Sequence, residues 1–96
     1  MKELGPPPLT AADPKSTEMV RAWVAHGGLH CSLNVGVFGK DELIGWGILL
    51  SDIARHVADA LAQSENRDKE QSLAAMQKVF NDELKRPTAT TKGSFQ

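Results

Sequence analysis

One cysteine, Cys31, is all the thiol chemistry that this chain of 96 residues contains. No disulfide can form within it, and a lone thiol fits a reducing compartment better than a secreted one. The opening Met1-Lys2-Glu3-Leu4-Gly5-Pro6-Pro7-Pro8 has no apolar h-region of the kind a secretory signal needs. Long hydrophobic runs are also missing. The longest, Leu43 to Leu50, falls far short of the ~20 residues of a membrane span. A cytoplasmic protein with no membrane partner is therefore expected. Charge of one sign is lacking too: 11 Lys and Arg stand against 12 Asp and Glu, for a net charge of −1. With no concentrated basic stretch, nucleic acid is not an expected partner. No G-x-x-x-x-G-K-S/T or G-x-G-x-x-G string occurs, and Asp41 and Glu42 would repel an anion at the helix start that follows Gly36 and Gly39. His26, His30 and His56 are scattered, and Asp52 with His56 is the nearest approach to a metal-ligand pair. Structural zinc needs four Cys or His ligands at short spacing. Neither metal nor cofactor is expected.

What remains is one small domain. Four of the five prolines fall in residues 1–16, so this segment reads as a flexible proline-rich arm with polyproline geometry at Pro6-Pro7-Pro8 and a turn at Asp13-Pro14. Residues 88–96 are small and polar and read as a disordered tail. The fold is left to residues 17–87. A chain this short buries a thin core and commonly needs an oligomer to stabilise it.

Within that span, Glu18–Ala25 and Leu29–Val35 read as two strands. Leu29, Cys31, Leu33 and Val35 alternate with His30, Ser32 and Asn34, the half-buried pattern. Two registers are open. A Gly27-Gly28 turn places Val24 opposite Cys31, Ala22 opposite Leu33 and Val20 opposite Val35, with Trp23 facing Ser32. A three-residue loop instead puts Trp23 beside Cys31 and buries Arg21. The first is the expectation, because it buries no charge. A first helix is predicted from Glu42 to Gln63, capped by Asp41, with Trp46, Leu49, Leu50, Ile53, Val57, Ala60 and Leu61 as its main apolar face. Ile44 and Ile48 point elsewhere, so its first turns are apolar nearly all round, which a second subunit would explain. Ser64 or Asn66 would cap a second helix, Arg67 to Lys85, striped by Leu73, Met76, Phe80 and Leu84 and stopped by Pro87. The expected fold class is α+β: a two-stranded antiparallel hairpin followed by two helices (ββαα), one sheet face covered by the helical hairpin, joining into a larger sheet in a dimer.

Two groups of residues could carry function. Asp52, Arg55, His56 and Asp59 meet at i,i+3 and i,i+4 spacings on the first helix. They form either a salt-bridged solvated face or an acid/base histidine oriented by Asp52. Arg21, Trp23 and His30 on the outer sheet face, with Ile44, Trp46 and Ile48 on the helix, suit an interface; the sheet face could equally line a small-molecule groove. Gly45 and Gly47 should admit another backbone beside Trp46. Cys31 faces the core and reads as an inert buried thiol.

The strings Ala12-Asp13-Pro14, Arg21-Ala22-Trp23, Ser32-Leu33-Asn34 and Trp46-Gly47-Ile48-Leu49-Leu50-Ser51-Asp52-Ile53-Ala54-Arg55-His56 resemble a family of small bacterial proteins known only as a domain of unknown function. The resemblance spans residues 12 to 87 and implies no activity, cofactor or catalytic residue. Together these features describe a small cytoplasmic module, a homodimer that acts by interaction or regulation, with room for a further protein partner not identified by the sequence. The alternative is a small enzyme or ligand binder using His56 with Asp52 and Arg55.

Overall fold

A computed structural model describes residues 2 to 95; Met1 and Gln96, at the outer ends of the expected arm and tail, lie outside the described residues. The chain runs β1 (Val20–Ala25), β2 (Gly28–Leu33), α1 (Glu42–Glu65), α2 (Lys69–Lys85) and β3 (Lys92–Phe95), with short 3-10 turns at Pro8–Thr10 and Gly39–Asp41. It is α+β, but the sheet is not a two-stranded hairpin. β1 and β2 are antiparallel, and β3 adds parallel to β2 on its other side, giving the order β1-β2-β3. The expected disordered tail thus contains a strand. Parallel pairing requires a long crossover, and α1 with α2 supplies it. Gly93 makes the pairing possible: it sits at a φ of 149°, and a Cβ there would overlap the Cys31 carbonyl.

Neither expected hairpin register is the one adopted. His26 and Gly27 form the two-residue turn, at φ 52° and 74°, the positive values that a type I′ turn needs at both central positions. Trp23 consequently lies opposite His30, Arg21 opposite Ser32, Ala22 opposite Cys31 and Val20 opposite Leu33. The shift from the expected register is two residues, so each side chain keeps its face. Gly28 is needed elsewhere, because a Cβ there would stand 3.2 Å from the Thr90 carbonyl on the approach to β3. Histidine tolerates the left-handed region better than most residues, and it takes the turn.

The helix ends differ from expectation by a few residues. α1 continues to Glu65, and Asn66 closes it at φ 56° instead of capping α2. Asp68 is the cap of α2, its carboxylate accepting from the Gln71 N–H at 3.0 Å. Asp41 occupies the N-cap position of α1 without a side-chain cap bond. Its neighbour Glu42 does the anchoring. The Glu42 carboxylate accepts from the Gly36 N–H at 2.7 Å, the Phe38 N–H at 3.0 Å and the Trp46 indole N–H at 2.8 Å. Phe38 meets Trp46 edge-on, ring centres 6.4 Å apart. Gly45 leaves room for the Phe38 ring, which a Cβ at that position would strike, whereas a Cβ at Gly47 would meet nothing. The close neighbour of this glycine pair is therefore a ring, against Gly45 alone, and not a backbone.

Packing is sparse. Among the described residues only Ala58 is fully buried. Near the turn between the helices, Leu61, Ala62, Ser72, Leu73 and Met76 are half-buried around the buried Ala58. Asp59 Oδ1 meets Lys69 Nζ there at 3.2 Å. The seam opens away from the turn: Leu43 is 89% exposed and Leu84 71%. Among the described residues neither helix packs on the sheet, contrary to the expected layering. The Cα radius of gyration, 15.1 Å, exceeds the roughly 12.5 Å of a close-packed domain of this length.

Two outcomes follow from the α1 anchor. The Glu42 carboxyl is held below the ordinary glutamate range, chiefly by the Gly36 N–H and next by the Trp46 indole. A group with a lowered folded pKa contributes stability that is complete above its unfolded value, about 4.3, and is lost as pH falls through the folded value. Glu42→Gln should lower the melting temperature at pH 7 and flatten its decline with acid below about pH 4.3, as measured by circular dichroism melts across pH. Gly45→Ala should displace Phe38 and destabilise by about 1–3 kcal/mol. Gly47→Ala, in a helix interior with open space in this chain, should stabilise the isolated chain by roughly 0.5–1 kcal/mol. Urea unfolding of the two variants side by side checks the contrast.

Candidate functional site

The four polar residues expected to cluster on α1, Asp52, Arg55, His56 and Asp59, do not form one network. Arg55 pairs with Asp52, and both side chains are more than half exposed, at 60% and 57%. Asp59 turns away from Arg55 to Lys69 and ties the two helices together. Among the described residues no hydrogen bond joins His56 to Asp52. These two instead line a shallow groove of about 770 Å³ along α1. Its other walls include Phe38, Ile44, Ile48, Ile53 and Val57. An acid/base histidine needs an oriented ring and a reacting group held within hydrogen-bond reach. The groove offers an apolar trough open to solvent, with the His56 imidazole and the carboxylates of Asp41 and Asp52 along it. That composition, mostly apolar with a few polar groups, is the kind found at ligand and contact surfaces alike.

The candidate interface residues divide into two kinds. Ile44 and Ile48 are bare, at 64% and 56% exposed. Trp46 is occupied within the chain by Glu42 and Phe38. On the sheet, Trp23 and His30 are half-buried cross-strand partners, and the His30 ring lies edge-on to His26 with centres 6.2 Å apart. Arg21 is held by Glu18 at 2.7 Å and reaches Glu3 in the arm at 3.8 Å. Ser32 and Ser94 approach on the same face, oxygens 3.4 Å apart. Among the described residues no group of three or more His, Cys, Asp or Glu side chains could hold a metal ion, and no helix is long and apolar enough to cross a membrane.

The exposed apolar surface extends well beyond the expected interface. Leu50, Ile53 and Val57, read from the sequence as core, are 48%, 44% and 39% exposed, and Phe80 is half exposed. Helical periodicity marks these positions as a buried stripe, but it cannot say whether the covering layer comes from the same chain. Ala58, the one buried residue among those described, lies outside that stripe, and alanine carries too little periodic signal to reveal it.

No curated protein matches this chain. Among solved structures, one described as "a putative pyruvate dehydrogenase from the photosynthetic bacterium Rhodopseudomonas palustrus CGA009" is similar to it. The two share 33% sequence identity and a TM-score of 0.67, over 94% of this chain and 90% of the other. A family model described as Domain of unknown function (DUF5076) matches residues 3–88. With nearly the whole fold inside that match, the chain belongs to the DUF5076 family.

Proposed function

We propose that the protein is a non-enzymatic interaction or regulatory module that works as a homodimer in the cytoplasm, with the α1 groove as part of its contact surface. One observation carries this reading. The single chain exposes 8292 Å², whereas a folded monomer of its mass is expected to expose about 5,400 Å². The excess, about 2,900 Å² per chain, includes the exposed N-terminal segment, residues 2–18. Exposed large apolar side chains outside that segment lie on α1 (Leu43, Ile44, Ile48, Leu50), on α2 (Val79, Leu84) and on the sheet (Val24, Phe95). Apolar patches of more than a few hundred Å² mark association sites. The dehydrogenase designation is that of the Rhodopseudomonas protein and is not carried to this chain. Pairing through the free β1 edge would extend the sheet across a twofold axis and remove an exposed edge.

Light scattering should give twice 10.4 kDa at micromolar concentration; a mass of 10.4 kDa over a wide concentration range overturns the reading. If the groove is covered by a second copy, His56→Ala and Asp52→Ala should each cost about 1–3 kcal/mol and be non-additive. Urea unfolding with dimer dissociation included in the fit measures this. Additive effects below about 0.5 kcal/mol would instead place the groove in open solvent.

A further inference from the structure

The sheet and the helices are each half of a two-layer domain, and within one chain the halves do not meet among the described residues. One face of the sheet carries Val20, Ala22 and Val24 beside Leu29, Cys31 and Leu33. No charge interrupts it, and Val24 is 87% exposed. β3 adds Phe95 to the same face, next to Leu33. An apolar sheet face normally takes a helical layer. The helical layer of this chain is itself uncovered at Leu50, Ile53 and Val57.

Both connections between the halves are tied down to the helices. On the way into α1, the Gly36 and Phe38 N–H groups are bonded to Glu42, and the Phe38 ring sits over Gly45 and against Trp46. On the way out of α2, the N–H and hydroxyl of Thr88 both donate to the Glu83 carboxylate, at 3.3 and 2.7 Å. These bonds order both linkers against the helices while the sheet stands clear of them. Packing against another chain leaves these bonds intact.

We infer that the apolar face of the sheet in one copy packs on α1 of a second copy, and reciprocally, so that each two-layer unit is completed in trans. This inference rests on the homodimer reading and goes beyond it by assigning which surface meets which. The area suits the assignment. Half of the excess exposure, contributed by each of two chains, already reaches the 2,000–5,000 Å² or so typical of obligate homodimers. The arrangement is isologous, since the same pair of surfaces is used twice around a twofold axis.

The test is an isotope-filtered NOE experiment on an equimolar mixture of labelled and unlabelled full-length chain. Methyl groups of Val24, Leu29 and Leu33 should show contacts between chains to Leu50, Ile53 or Val57. Val24→Lys should raise the dimer dissociation constant at least ten-fold while the helical circular dichroism signal is retained. Contacts between chains that join only α1 to α1, or only β1 to β1, overturn the inference and leave the homodimer standing. Sheet-to-α1 contacts within one chain, on a monomer, overturn both. A dimer whose dissociation constant is unchanged by Val24→Lys, with no sheet-to-helix contact between chains, overturns the inference alone.

Discussion

Three N–H groups converge on the Glu42 carboxylate, and the position of the helices relative to the sheet depends on that convergence. A carboxylate accepting several such bonds fixes the groups around it, because each donor left without a partner would cost free energy when water is excluded. Here the donors are two backbone groups of the linker and one indole one turn along α1. The linker is thereby bent over the start of the helix, and the Phe38 ring follows it into the space that Gly45 leaves. The direction in which α1 leaves the sheet is set locally, before any long-range packing. The same contact accounts for one of the two glycines in the first turns, a costly choice for a helix interior.

Much of the architecture could be read from the sequence because it rests on local rules. Alternation in Leu29–Leu33, the period of Leu73–Leu84 and the stop at Pro87 each specify an element through residues close together in the chain. The third strand could not be read that way, because Lys92-Gly93-Ser94-Phe95 has no alternation strong enough to register. It is held by backbone pairing to β2 and by the absence of a side chain at Gly93. The hairpin register differs because Gly28 looks available for the turn in the sequence, whereas the approach of Thr90 reserves it. The Glu42 anchor was legible only as a favourable charge near a helix start, since its donors are backbone groups whose direction no composition reveals.

For the candidate site, spacing correctly placed Asp52, Arg55, His56 and Asp59 on α1, but not their partners. Arg55 had two carboxylates within helical reach and took Asp52; Asp59 found Lys69 across the turn between helices. Side-chain pairing on an open helix surface is decided by fractions of a kcal/mol, so a lysine from the next helix can redirect it. The apolar stripe of α1 was equally visible as a pattern. A pattern reports that a surface wants cover and is silent about which molecule supplies it.

The parallel placement of β3 bears on how the chain reaches its structure. Ser32 and Ser94 lie side by side although 62 residues separate them, while the hairpin and the helical turn join near neighbours. Contacts between distant residues carry a loop-closure cost that slows their formation, so local elements form first. The outer edge of β2 therefore waits, unpaired, until both helices have formed and brought the last segment round. Unpaired strand edges are prone to association, and the arrival of Gly93 beside Cys31 covers the edge of the central strand.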